Sequence, residues 1–265
     1  MNRIDYTTQT TIVTGASSGL GAEFARQLAS RGSDLVLVAR RADRLEALAQ
    51  ELTLAHQVKV TVIARDLGRP DAGRTLRAEL EGRGIHATSL VNNAGFGTHD
   101  EFGDEDPERL QSMIALNVSS LVDLSRAYFE PLKTGHGVLI NVASFLGLQP
   151  TPYLSVYGAT KAFVLSFTES LWAEARGSEL GVLAVCPGAM QTEFFDAAGS
   201  QSADYGAARA TPQHVVRMAL ATLDRRFAPP SVVTNGRLLA IATKFLPRRM
   251  VVQAMGRMAR PAAHV

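Results

Sequence analysis

Tyr157 and Lys161 stand four positions apart in Tyr157-Gly158-Ala159-Thr160-Lys161, at the start of a stretch that reads as a long helix to about residue 175. That spacing puts a phenol and an ammonium on one helix face. A fixed cation near a phenol stabilises the phenolate and draws its pKa down from the usual value of about 10. Such a phenol can protonate a carbonyl oxygen, or accept a proton from an alcohol. Ser144, at the end of an apolar run, could hydrogen-bond the same oxygen. Taken alone, Tyr-x-x-x-Lys also describes many pairs of surface side chains, so its meaning depends on what surrounds it.

A second candidate lies near the N-terminus, in Thr14-Gly15-Ala16-Ser17-Ser18-Gly19-Leu20-Gly21. Glycines between a strand and a helix allow positive φ and let a phosphate approach the backbone, where the helix N-terminus offers free N–H groups. The spacing is G-x-x-x-G-x-G rather than G-x-G-x-x-G, and the Gly-Lys-Ser/Thr of a nucleoside triphosphatase loop is absent. A tight turn with close helix packing would use the same glycines. The end of the next apolar run sharpens the reading. It closes in Val38-Ala39-Arg40-Arg41, with no acid before Asp43. An acid there would suit a ribose 2′-hydroxyl, whereas a base suits a 2′-phosphate. Arg40, with Arg41 as accessory, therefore points to NADP(H), against the plainer alternative of a solvated helix start.

Elements that could position these groups recur along the chain. Apolar runs occupy residues 10–15, 35–39, 58–64, the region of Leu90, residues 138–144, 181–188 and the region of Val232. Amphipathic stretches separate them. Alternation of this kind implies right-handed crossovers and an α/β, doubly wound (Rossmann-type) parallel sheet of about seven strands with helices on both faces. Ligands of such sheets bind beyond the carboxyl ends of the strands. No repeat or linker divides the chain, so residues 1–265 are expected to form a single dinucleotide-binding domain. Within it, residues 189–230 would cover the substrate and residues 237–265 would form a basic helical tail.

Composition bounds the alternatives. The 265 residues are 46% hydrophobic and 20% charged, as expected of a chain with a sizeable core. One cysteine, Cys186, leaves no room for an internal disulfide or a multi-cysteine metal site. The six histidines (56, 86, 99, 136, 214 and 264) are scattered, so no metal is expected. No apolar run approaches the ~18 residues of a membrane span. The first residues carry no signal-peptide pattern, and a cytoplasmic location is the expectation. Residues 225–265 hold eight Lys/Arg and no acid, whereas residues 1–224 hold 19 Lys/Arg against 25 Asp/Glu. A basic end on an acidic body is not the pattern of a nucleic-acid-coating protein.

Over residues 10–192 the chain resembles the short-chain dehydrogenase/reductase family, at the length usual for it. The resemblance is carried by the glycine-rich turn, Asp66-Leu67, Asn92-Asn93-Ala94-Gly95, Asn117, Ser144, Tyr157 with Lys161, and Pro187-Gly188, in the family's order and spacing. It implies that Tyr157 is the acid/base, that Ser144 polarises the carbonyl, and that Lys161 binds the nicotinamide ribose. Asn117 would hold a water that relays protons to Lys161; read alone, it could equally be an exposed helix asparagine. The cofactor would be held by Gly15, Ser17, Ser18, Gly19, Leu20, Gly21, Arg40, Arg41, Asp66, Leu67, Asn93, Ala94, Gly95, Tyr157, Lys161, Pro187, Gly188 and Thr192. Asn92 would help to shape the loop beneath the adenine.

The loops after the fifth and sixth runs are apolar and aromatic, with Phe145, Leu146, Tyr153, Phe194 and Phe195 as candidate pocket residues. A lipophilic ketone, aldehyde or secondary alcohol is the expected substrate; the same aromatics could simply pack a lid onto the core. A homodimer or homotetramer is expected. In the tail, Met250, Val251, Ala254 and Met258 can form an apolar side, with Arg248, Arg249, Arg257 and Arg260 elsewhere. That pattern suits peripheral membrane contact, a subunit interface, or closure over the chain's own substrate side. Two rival functions share the fold: a non-catalytic NADP(H) sensor or scaffold, and a nucleotide-sugar epimerase or dehydratase. The latter would need more than the roughly 70 residues that follow Thr192.

Overall fold

Seven apolar runs pair side by side, all parallel. In the computed structural model, which describes residues 4–190, 209–236 and 245–259, they are β1 (Thr10–Thr14), β2 (Asp34–Ala39), β3 (Val60–Ala64), β4 (Ser89–Asn92), β5 (Val138–Val142), β6 (Gly181–Cys186) and β7 (Ser231–Val233). Their order across the sheet is β3-β2-β1-β4-β5-β6-β7. The chain runs outward one way from β1 and then the other way from β4. The carboxyl ends of β1 and β4 consequently bound the crevice where such sheets bind ligands.

Successive residues of one strand feed different cores. Val13, Leu35 and Leu37 join one apolar layer, while Ile12, Val36 and Val38 join the other. With both faces buried, the strands lose the alternating polar pattern of a half-exposed sheet. The first layer is closed by α1 (Gly19–Ala29) and α2 (Ala42–His56). The second is closed by α3 (Ala72–Gly82) and by one long helix built from α4 (Pro107–Ile114), a π-helical segment (Ala115–Ser120) and α5 (Leu121–Thr134). Helix α6 (Ser155–Glu174) follows β5.

Two departures from the sequence reading concern the C-terminal third. Helix α7 (Pro212–Leu223) falls inside the stretch expected to cover substrate, yet Val215, Val216, Ala219 and Leu220 are fully buried in the first core layer. It is a core element. In α8 (Arg248–Ala259) the buried face is Val251, Met255 and Ala259, spaced four apart. Met250 and Met258, expected on the apolar side, are exposed, as is Ala254. The helix is seated on its own subunit: His99 Nε2 lies 2.8 Å from the Ala259 carbonyl oxygen, and Gly256 approaches Pro152.

Candidate active site

Helix α6 buries one side of itself, through Tyr157, Thr160, Lys161, Val164 and Thr168. This stripe follows the 3.6-residue period and brings phenol and ammonium inward together. Ser144 stands just past β5 and caps the 3-10 turn Phe145–Leu148, accepting from Leu146 N at 3.1 Å. It also acts on the Tyr157 phenol, favouring the phenolate. Lys161 Nζ donates to the Val142 carbonyl oxygen at 2.8 Å and lies 5.8 Å from the centre of the Tyr157 ring. The three side chains predicted to share a reaction centre are thus brought together.

Their electrostatics differ from the sequence expectation. Burial pushes the Tyr157 phenol up to about 12, against the lowering effect of Ser144. Burial also pushes Lys161 down to about 8. Loss of hydration penalises both charged forms, phenolate and ammonium. Burial dominates the phenol in place of the lowering expected from Lys161, and at neutral pH Tyr157 holds its proton while Lys161 keeps its charge.

Asn117 sits in the π-helical segment and is 1% exposed, so the exposed-asparagine alternative falls away. Its Nδ2 donates to the Phe96 carbonyl oxygen at 2.9 Å and to Thr160 Oγ1 at 3.1 Å. Its Oδ1 accepts from Phe96 N at 3.2 Å. This clamp requires the neighbouring loop to come very close. A Cβ on Gly95 would stand 2.8 Å from Asn117 Oδ1, too near for any side chain.

At the sheet's switch point the glycine-rich turn meets the loop after β4. Gly15 has φ +64°, and a Cβ there would lie 2.8 Å from Asn93 Nδ2. Asn93 Nδ2 donates to the carbonyl oxygens of Thr14 and Gly15 at 2.9 and 3.3 Å. Thr14 Oγ1 in turn accepts from the backbone N–H groups of Asn93 and Ala94 at 2.9 and 3.0 Å. Ser18 begins α1 without a side-chain capping bond. Arg41 instead reaches back to this turn, donating to Ser18 Oγ at 2.7 Å and to Ser17 Oγ at 3.0 Å. Two hydroxyls, a guanidinium and a helix N-terminus at the mouth of the sheet form a donor set suited to phosphate oxygens. Of the two arginines, Arg41 meets the turn, whereas Arg40, expected as the principal phosphate ligand, is exposed beside it.

The remaining predicted positions divide. Asp66 is exposed and accepts from Gly68 N at 3.0 Å. Leu67 and Leu20 are buried, so Leu67 can offer a ligand only its backbone. Asn92 lies deeper, donating to Ser125 Oγ and Asn141 Oδ1. Pro187 accepts from Phe145 N at 2.7 Å, and Gly188 N donates to Asn235 Oδ1 at 2.6 Å. Leu146 packs beside Tyr157, Met113, Leu154 and Phe96. Half-buried Phe145 neighbours Gly236, and Tyr153, at φ +65°, accepts from Asp100 N at 3.0 Å. Thr192, Phe194 and Phe195 lie outside the described residues. Among the described residues, no group of three or more His, Cys, Asp or Glu is placed to hold a metal ion.

Sequence reasoning missed Thr14, Thr160 and Asn235 as parts of this framework. The two threonines carry a signal, being polar residues inside otherwise apolar strand and helix faces. Asn235 carries none, because its partner Gly188 is remote in sequence.

Comparison with known proteins agrees with this architecture. Residues 9–203 match the family model described as short chain dehydrogenase. A very-long-chain 3-oxoacyl-CoA reductase of Anas platyrhynchos is 34% identical over 218 residues, covering 80% of this chain and 68% of that protein. Sulfoacetaldehyde reductase 2 of Chromohalobacter salexigens is 37% identical over 186 residues, covering 69% and 73%. Among solved structures, a short-chain dehydrogenase from Sphingobium yanoikuyae in complex with NADPH superimposes with a TM-score of 0.80 at 33% identity, covering 96% of this chain and 99% of that one.

Proposed function

The chain belongs to the short chain dehydrogenase family, and from that premise we propose that it is an NADP(H)-dependent oxidoreductase of ketone or aldehyde and secondary-alcohol pairs. The observation that carries this reading is the buried Tyr157 phenol with Ser144 acting on it and with buried Lys161 on the same helix face, 5.8 Å from the ring centre. The nicotinamide supplies hydride chemistry when bound. Tyr157, neutral at pH 7, donates its proton to the carbonyl oxygen, and Ser144 donates a second hydrogen bond as negative charge develops there. Lys161 holds a positive charge beneath the phenol, and Asn117 fixes the loop that carries Gly95. A cofactor sensor on the same fold has no use for that buried trio.

On the cofactor side, Ser17, Ser18 and the first turn of α1 would receive phosphate oxygens, with Arg41 confronting the 2′-phosphate. The apolar surroundings of Tyr157, namely Phe96, Leu110, Met113, Leu146 and Leu154, suit a lipophilic substrate. Both named relatives are, by their names, reductases of carbonyl compounds. A panel of ketones, aldehydes and alcohols followed by NADPH absorbance tests the reading; no turnover of any member contradicts it.

A second reading concerns α8. Its outward face carries Arg248, Arg249 and Arg257 beside Met250, which is 55% exposed, and just before the helix Phe245 is 83% exposed. Basic and apolar groups mixed on one surface support peripheral contact with an anionic membrane. No helix of the described residues is long and apolar enough to cross one. On α6, Phe163 stacks on Phe167 at the surface, with ring centres 5.8 Å apart, which supports association of two copies; the mass in solution checks it.

A further inference from the structure

The loop between Ser144 and α6 leaves and returns to the same side chain. Ser144, at its start, acts on the Tyr157 phenol, and Leu154, at its end, packs against Tyr157. Two glycine contacts clamp it onto α6. A Cβ on Gly147 would lie 2.6 Å from the Lys161 carbonyl carbon, and one on Gly158 would collide with Thr151 Oγ1. The loop backbone is thus held on both sides of Gln149.

Gln149 is 8% exposed, and neither its amide nitrogen nor its amide oxygen has a hydrogen-bond partner. Among the described residues it is the one side chain with two such orphaned atoms. The loop's two other buried polar side chains are satisfied, Ser144 by accepting from Leu146 N and Thr151 Oγ1 by donating to the Leu154 carbonyl oxygen. A buried amide with no partner is strongly disfavoured, because it has given up water and received nothing. Each such group in a folded protein calls for an explanation, and completion by a bound molecule supplies one.

We propose that Gln149 is a specificity-determining residue that hydrogen-bonds a second polar group of the substrate, remote from the reacting carbonyl. An amide both donates and accepts, and it is neutral. The matching group is therefore a neutral one with the same double capacity, a hydroxyl or an amide, on an otherwise lipophilic carbonyl compound. The inference deepens the proposed oxidoreductase reading and rests on it. A site that bonds such a group rejects the analogue lacking it, because its own polar atoms are then left buried and unpaired.

The test compares the parent with Gln149→Met and Gln149→Leu in two measurements. In the first, 2-octanone is set against hydroxy-octanones bearing the hydroxyl at each carbon from the fourth to the eighth. The parent should prefer at least one hydroxylated ketone by tenfold or more in kcat/KM, and both variants should bring that ratio to within twofold of unity. A ratio unchanged in the variants overturns the proposal. The second measurement is thermal unfolding without ligand. Removing an orphaned amide should raise Tm by about 2–4 °C, whereas a fall in both variants shows that the amide is satisfied within the fold and overturns the proposal. NADPH titration of each variant confirms that the cofactor site is formed. If no ketone is turned over by any form, the oxidoreductase reading has failed, and the direction of the Tm change still decides whether Gln149 is built to bind.

Discussion

Lys161 Nζ donates to the carbonyl oxygen of Val142 at 2.8 Å, and this bond fixes the ammonium 5.8 Å from the centre of the Tyr157 ring. The charge is held by β5, the strand that also delivers Ser144. Sheet and helix therefore set the proposed reaction centre jointly, and it does not depend on one flexible side chain finding another.

Burial of that ammonium has a consequence for stability. Lys161 is lowered to about 8 in the folded protein from 10.5, so between those values the unfolded chain binds a proton that the folded one does not. Stability from this group rises with pH across that window, and its penalty is complete below about pH 8. Denaturant unfolding of the parent and of Lys161→Met at pH 7.5 and 9.5 isolates the effect. The difference should move in the parent's favour by roughly 1–2 kcal/mol at the higher pH. A difference independent of pH contradicts the assignment.

Arg41 rather than Arg40 faces the glycine-rich turn. Arg41→Ala should weaken NADPH binding by about tenfold or more, the loss of a charge-assisted pair with phosphate, and leave NADH nearly unchanged. Arg40→Ala should have the smaller effect on both. Cofactor fluorescence titration reads all four affinities. Equal affinities of the parent for NADPH and NADH would remove the 2′-phosphate from the account.

The contrast between those arginines shows what the sequence could and could not convey. Ser144, Tyr157, Lys161 and the turn at Gly15 were legible because a strand end or a helix period determines where each side chain goes. Adjacent residues on a connecting segment differ in direction by backbone geometry alone, so Arg40 and Arg41 were interchangeable until that backbone was seen. The same limit applies to α8. Both Val251/Met255/Ala259 and Met250/Ala254/Met258 satisfy helical spacing, and only the loops bearing His99 and Pro152 decide which set is covered. The ionisation of Tyr157 was misjudged for a related reason: spacing reveals a neighbouring cation but not how much water both groups lose.

Close approach makes Gly95 a sensitive position. A Cβ there would stand 2.8 Å from Asn117 Oδ1, forcing apart the clamp between Asn117 and Phe96. Gly95→Ala should lower kcat by about 100-fold, the scale of an ångström of misplacement, while NADPH affinity changes by less than tenfold. Parent-like turnover would show that the loop relaxes freely.

For α8, the outward basic face should bind vesicles containing phosphatidylserine and release them as salt rises, since exposed charges are screened over about 8 Å at physiological ionic strength. Replacing Arg248, Arg249 and Arg257 with Gln together should abolish cosedimentation while leaving ketone reduction intact. Absence of salt-sensitive binding by the parent removes the membrane contact.

The most direct test is Tyr157→Phe, read by NADPH oxidation in a single turnover with a ketone that the parent reduces. The variant should bind NADPH with parent-like affinity and transfer hydride at least 100-fold more slowly, the scale of a lost general acid. A variant that reduces the ketone at the parent's rate would contradict the assignment of Tyr157 as the proton donor.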